Sequence, residues 1–272
     1  MLCRAKVNLT LHVGAAIRVG RWAGYHPVES LVVFADFGDV LHIGEASRLG
    51  LDVGYGGQFG GDLAHMDDSS VHEALRLCGV DAARITVEKN LPVASGLGGG
   101  TADAAGVLRI HDPESTIDPI AIGADGPVCR LSRTAMMEGI GERITPLPGL
   151  GQLHAVLANP GVAISTGAIF EAFDALPRDA EPALTDREGG LLARAYSGRN
   201  ELQNTAVVQA PVIAELIDAL HAQDGCDLAR MSGSGASCFG VFRTAGQARE
   251  AAERIARDHG WWARACLLGD AV

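Results

Sequence analysis

The chain has 272 residues and a formal charge of −11, with 47% hydrophobic and 20% charged residues and 35 glycines. That length and apolar content suit one large domain or two of ordinary size, and exclude disorder, collagen and coiled coil. The negative charge argues against a nucleic-acid partner. No apolar run reaches the roughly 18 residues of a membrane span, and the amino terminus carries no signal-peptide pattern. A cytoplasmic, acidic protein with no membrane attachment and no obligate protein partner is expected.

In chain order, Ala5 to Val13 alternates apolar and polar residues and reads as a strand. Ser30–Phe37 and Asp39–Ile43 read as two further strands, Gly54–Gly61 as a glycine-rich loop, Ser70–Leu77 as a helix and Ile85–Glu88 as a short strand. Pro146 to Gly151 holds two prolines and two glycines, which predicts a boundary between domains 1–148 and 149–272. Beyond it come a strand over Leu153–Ala158, a helix over Thr166–Ala175 and a charged loop over Asp179–Gly190. Helix is expected over much of Glu201–Ala222, restarted at Pro211, then a strand over Cys238–Phe242 and an amphipathic helix over Gly246–Asp258. Without regular βαβ alternation the pattern predicts an α+β fold.

The six cysteines lie far apart with no Cys-x-x-Cys pair, so free, buried thiols are expected. The nine histidines form no His-Glu-x-x-His pattern, and no protein-built metal site is predicted.

The strongest chemical signal is Pro92 to Ala105, where Gly96, Gly98, Gly99 and Gly100 precede Thr101 and an alanine-rich run. Glycine lets backbone approach a ligand closely, and amides leading into a helix amino terminus suit phosphate oxygens. No Gly-Lys-Ser/Thr follows, so this is no Walker A loop, and Thr101 replaces the last glycine of the dinucleotide fingerprint. Taken alone, such a cluster reads equally well as a flexible surface loop. Asp125, between Gly123 and Gly126, reads alone as turn chemistry. Lys6, one of only two lysines, sits in an apolar strand, where a lysine either snorkels, lies at a sheet edge or has a partner. Met231 to Ala236 is a plain tight turn or a second backbone approach to a ligand.

In combination these segments resemble the GHMP kinase superfamily. The residues that carry the resemblance are Ala5-Lys6-Val7-Asn8-Leu9, Gly24-Tyr25-His26, Phe37-Gly38-Asp39 and Pro92 to Ala105. Gly123-Ala124-Asp125-x-Pro127, Glu138 to Glu142, Asn159-Pro160-Gly161-Val162 and Met231 to Ala236 continue it. The match spans Ala5 to about Phe242 in the family order and narrows to the branch whose acceptor is a cytidine-diphosphate-linked polyol of isoprenoid biosynthesis.

The resemblance implies a two-domain fold with the active site in the cleft between domains. ATP would be co-substrate, with Mg2+ held mainly through ATP. It makes Asp125 the acceptor of the substrate hydroxyl proton and Lys6 its partner near the transferring phosphoryl group. Asn8, Tyr25, His26 and Phe170 match positions that hold the cytidine end. Pro92, Gly96, Leu97, Gly98, Gly99, Gly100 and Thr101 match the ATP-phosphate loop, with Gly233, Ser234 and Gly235 closing the site from the second domain.

Three positions depart from the family pattern. Ala102 stands where a second serine is usual, Asp68-Ser69-Ser70 lacks the Asn and Arg of the adenine-side segment, and the connection from Ala105 to Gly123 is short. They leave open a homologue that binds nucleotide without efficient turnover, or a GHMP kinase acting on another small alcohol.

Overall fold

The computed structural model describes residues 1–45, 49–63, 69–149, 151–176 and 190–270. The expected charged loop Asp179–Gly190 lies, except for Gly190, outside the described residues.

The first half is a sheet backed by helices. Strand β1 (Leu2–Asn8) pairs antiparallel with a long β3 (Val28–Gly44), and the short β2 (His12–Val13) pairs with the start of β3. Strand β4 (Gly50–Gly56) and helix α1 (Ser70–Leu77) precede β5 (Ala82–Glu88), which pairs with β3 and, in parallel, with β4. Helices α2 (Gly99–His111) and α3 (Gly126–Leu131) follow, then β6 (Ala135–Gly139) beside β3 and β7 (Arg143–Pro146) beside β6. The second half runs through β8 (Leu153–Asn159), α4 (Thr166–Asp174), α5 (Leu191–Ser197), α6 (Gln203–Gln209) and α7 (Val212–His221). It ends with β9 (Cys226–Met231), β10 (Cys238–Phe242), α8 (Ala245–His259) and β11 (Trp262–Leu268). Its strands pair antiparallel in the order β11-β8-β10-β9 and join the first half through the single pair Leu268–Ala35. The expected α+β character is present.

Three expectations are corrected. The one strand expected over Ala5–Val13 is interrupted, β1 ending at Asn8 and β2 starting at His12. The two strands read at 30–37 and 39–43 are one continuous strand. Gly38 does not break it but lets β1 cross closely, since a Cβ there would lie 2.0 Å from the Cys3 carbonyl oxygen. Gly54–Gly61 is expected as a loop, yet residues 54–56 belong to β4, a strand at the edge of the sheet. A glycine-rich edge strand carries little apolar alternation, so the pattern is invisible in the sequence.

Three buried clusters hold the elements together. One packs α1 and α2 on β3 and β5 through Val71, Leu75, Ala104, Leu108, Phe34 and Ile85. A second packs α7 and α8 on β8–β10 through Leu216, Leu220, Ala251, Ile255, Val156 and Phe242. The third joins the halves, with Val7, Leu9 and Leu97 against Leu157, Phe239 and Leu268. Truncating a residue such as Phe239 would cost about 3–5 kcal/mol. All six cysteines are free, with Cys3, Cys129 and Cys238 buried. No helix among the described residues is long and apolar enough to cross a membrane.

Candidate active site

A cavity of about 980 Å³ opens between the halves. Its chemistry begins on β1. Lys6 is 3% exposed, and an ammonium this deep requires a counter-charge, because an unpaired one costs several kcal/mol. Its Nζ donates to Asp125 Oδ2 at 2.9 Å, and its backbone N–H donates to the Leu97 carbonyl at 2.8 Å. Asp125 precedes α3 and makes no side-chain cap, which leaves its carboxylate turned to Lys6 and about 29% exposed to the cavity.

The position of Asp125 is set by backbone contact on both sides. A Cβ at Gly126 would lie 1.9 Å from the Pro119 carbonyl oxygen, and one at Gly141 would lie 2.1 Å from that of Ala124. Gly141 also has φ +113°, a conformation that costs an L side chain strain. The short connection after α2 supports the same placement. Asp112 caps α2, its carboxylate accepts from Thr116 Oγ1, Thr116 N, Ile117 N and Arg130 Nη1, and a 3₁₀ turn over Pro119–Ile122 delivers the chain to Asp125. The Thr116 hydroxyl foremost, with those amides, holds the Asp112 carboxyl far below its ordinary value.

Above Lys6 the glycine loop enters α2. Gly98 is left-handed (φ +68°) and lies against Lys6, where a Cβ would be 3.3 Å from that of the lysine. Helix α2 has no side-chain cap at its start. Its first amides therefore lack intrahelical acceptors, and with the helix dipole they favour an anion. The loop over Met231–Ala236 approaches from the other half. Ser232 Oγ donates to the Gly96 carbonyl at 3.1 Å and accepts from Asn8 N at 3.2 Å, while Ser237 N donates to the Ser95 carbonyl at 2.9 Å. Ser234 Oγ lies 2.8 Å from Thr166 Oγ1. A Cβ at Gly96 would be 2.5 Å from the Ser232 carbonyl oxygen, so the loops meet with no room for a side chain.

Beneath the glycine loop lies a cluster that the sequence reading passed over. Lys89, 4% exposed at its side chain, donates to Asp103 at 2.8 Å and forms a short bond with Asp39. Asp39 also accepts from Asn90 N and Leu91 N. Burial opposes the charge on Lys89, but the carboxylates of Asp103 and Asp39 hold its pKa above the ordinary value. Burial raises Asp103 to about 7, with Lys89 opposing and Asp39 adding to the rise. A Cβ at Gly99 would lie 3.1 Å from Asp39 Oδ2. The signal available in the sequence was Lys89, the only lysine besides Lys6.

Another part of the cavity lining is aromatic. Tyr25 is 49% exposed and packs edge-on to Trp22, with ring centroids 5.7 Å apart. His26 and Phe170 lie 4.8 Å apart at a tilt of 31°. The Gly14 carbonyl accepts from His26 Nδ1 at 2.9 Å, leaving Nε2 directed at Asp174, 3.3 Å away. Asn8 Nδ2 donates to Ser30 Oγ at 2.8 Å, and its Oδ1, buried, has no protein partner among the described residues. An unpaired buried carbonyl costs about 1–3 kcal/mol unless a ligand donates to it.

Lys6, Asn8, Tyr25, His26, Phe170, Pro92, Gly96, Gly98, Gly99, Gly100, Thr101, Asp125, Gly233 and Ser234 all line this one cavity. Leu97 and Gly235 do not. Leu97 is 0% exposed with its side chain in the core between the halves, and it serves through its carbonyl on Lys6. Gly235 is buried against Met231 and touches Gly96 by backbone. The departures also acquire places. Ala102 is 2% exposed in the first core, so its methyl packs there. Asp68 lies outside the described residues. Ser69 caps α1 and accepts from the Tyr55 hydroxyl, and Ser70 Oγ donates to the Gly100 carbonyl at 2.9 Å.

The family described as "GHMP kinases N terminal domain" matches residues 68–112, and "GHMP kinases C terminal" matches 180–260. The 4-diphosphocytidyl-2-C-methyl-D-erythritol kinase of Paracoccus denitrificans is 46% identical over 274 residues, covering 98% of this chain and 96% of the relative. The enzyme of the same name from Parvibaculum lavamentivorans is 44% identical and covers 98% of this chain and 97% of the relative. A crystal structure of 4-(cytidine 5'-diphospho)-2C-methyl-D-erythritol kinase superposes with a TM-score of 0.79 at 32% identity, over 100% of this chain and 99% of that one. With a lysine–aspartate pair between two glycine loops and near-full-length relatives of one name, this chain is a small-molecule kinase and belongs to the GHMP kinases, in the family of the 4-diphosphocytidyl-2-C-methyl-D-erythritol kinases.

Proposed function

We propose that the chain transfers the γ-phosphoryl group of ATP to the 2-hydroxyl of 4-diphosphocytidyl-2-C-methyl-D-erythritol, in the non-mevalonate route to isoprenoids. The observation that carries the reading is the Lys6–Asp125 pair at 2.9 Å, which lines one cavity together with the glycine loop and with Tyr25, His26 and Phe170. Asp125 accepts the hydroxyl proton as the bond to phosphorus forms. Lys6 fixes that carboxylate and offers positive charge to the transferring group. The transition state is loose, so alignment and charge stabilisation matter more than a strong base.

The amides of Gly98–Thr101 cradle ATP phosphates, and Gly233 and Ser234 close over them. Tyr25 and Phe170 supply ring faces for cytosine, and Asn8, which lines the same cavity, helps to hold the cytidine end. Among the described residues no group of three or more His, Cys, Asp or Glu could hold a metal ion. Mg2+ would be held mainly through the ATP oxygens, where it would neutralise phosphate charge. Residues 1–148 and 149–272 act as the two domains that the cavity separates.

A coupled assay of ADP release settles the acceptor, run with the cytidyl substrate beside mevalonate and homoserine. Turnover is expected with the first alone. Turnover with another alcohol instead, or binding of both ligands with no turnover, would contradict the proposal.

A further inference from the structure

The loop over Met231–Ala236 is held from behind by a residue outside the cavity. Asn200 lies between α5 and α6, 6% exposed. Its Nδ2 donates to the Met231 carbonyl and to the Gly233 carbonyl, both at 2.8 Å, and its Oδ1 accepts from Leu202 N at 3.0 Å. The amide orientation follows from the partners. Reversed, it would set an oxygen against two carbonyls and an NH2 against an N–H. Gln203 adds a second hold, its Oε1 accepting from Met231 N at 3.0 Å.

The segment bearing Asn200 is itself anchored to the strand region that carries Lys6 and Asn8. Leu11 N donates to the Arg199 carbonyl at 2.8 Å, and Glu201 N donates to the Leu11 carbonyl at 2.9 Å. Val13 N donates to Glu201 Oε2 at 2.6 Å. At Gly198 a Cβ would lie 2.3 Å from Thr10 Cγ2, so the Gly198 backbone packs directly on the Thr10 side chain. A rigid path thus leads from the first strands through Asn200 to Gly233. On its other side, the same loop reaches Gly96 and Asn8 through Ser232.

We propose that Asn200 is a positioning residue for phosphoryl transfer. It sets the height of the Gly233–Ser234 backbone over the glycine loop and so aligns the closing loop with the transferring group. This rests on the reading that the loop closes over ATP. The effect belongs in turnover rather than in ground-state binding, because a displacement of about 1 Å from a remote contact can cost about 10²-fold in rate.

The test uses Asn200→Asp in the full chain, which keeps the side-chain shape and sets oxygens against both carbonyls. Gln203→Leu is the second variant, removing one hold and leaving Asn200 in place. Ile255→Val, buried in α8, is the control for a thermal shift remote from the loop. Single-turnover rates, calorimetric affinities for ATP and the cytidyl substrate, and thermal midpoints are measured for all. Asn200→Asp should lower kcat roughly 10–10²-fold and Gln203→Leu less, with both affinities within about twofold of wild type. Asn200→Asp and Ser232→Ala should combine less than additively, since both act on one loop. Wild-type rates in Asn200→Asp would overturn the inference while leaving the functional reading intact. So would an equal loss of rate and of both affinities, or a rate loss that Ile255→Val reproduces at the same thermal shift. Failure of the wild type to turn over would overturn the functional reading and this inference with it.

Discussion

The two ends of the cavity are built differently. At the end proposed to hold phosphate, the lining groups include the backbone of the glycine loops, the Lys6–Asp125 pair and the buried Lys89 and Asp103, and the backbone around them is fixed by contacts too close for a side chain. Gly96 meets Ser232, Gly126 meets Pro119 and Gly141 meets Ala124. At the aromatic end the groups are side chains on a loop and on α4, and Tyr25 is half exposed. The contrast follows the chemistry. Aligning a phosphoryl group tolerates little displacement, whereas stacking on a base spreads its energy over an area and tolerates adjustment. A substitution at the phosphate end should therefore act on rate, and one at the aromatic end on affinity.

The largest effect expected is from Asp125→Asn, which keeps size and removes proton acceptance. Turnover should fall roughly 10²–10⁴-fold, the range for general-base catalysis, with ATP and acceptor still bound by calorimetry. Normal turnover would erase the distinction between the ends. Next comes Gly141→Ala, whose new methyl would meet the Ala124 carbonyl in a strained backbone. A stability loss of about 1–3 kcal/mol in urea is expected, together with a fall in kcat at unchanged acceptor affinity. Tyr25→Ala should weaken the cytidyl substrate by about 1–3 kcal/mol and leave ATP affinity unchanged. Equal losses for both ligands would show that the ends are not separable.

The smallest effect sharpens the comparison from outside the cavity. The folded-state pKa of Asp112 is depressed, so its carboxylate stabilises the fold above the unfolded value of about 4. That contribution is lost as pH falls through the lower folded value. Asp112→Asn should therefore lower the urea midpoint at pH 7 and lose less than wild type on going to pH 3. A variant with the wild-type acid slope would remove Asp112 from the account of how the short connection holds Asp125.

The phosphate end was the more legible in the sequence. A lysine inside an apolar strand and a string of glycines before a helix are unusual enough to be noticed, and the structure brings Lys6, Asp125 and both loops together. Leu97 sat in the same string and was read as a ligand residue, because a string does not say which members turn inward. Its apolar side chain does, and it is fully buried. Asp39 and Asp103 stand in segments that carry the resemblance, but their meeting at Lys89 is not legible in the sequence, because the cluster is assembled from separate elements. Asn200 was hidden for the same reason, one polar residue just before the stretch expected to be helix, with its partners 31 and 33 residues on at Met231 and Gly233. Strand β4 was missed because its glycines suppress alternation, and α3 because its Gly-Pro start reads as a turn.

The central claim is that Lys6 and Asp125 act as one unit, and a double-mutant cycle tests it most directly. Single-turnover rates would be measured for Lys6→Ala, Asp125→Asn and the pair, with binding of both ligands checked on the same samples. The account predicts that each single variant loses most of the rate and that the double variant is little worse than the poorer single one. Rate losses that multiply in the double variant would show that the two residues act independently and would contradict the account.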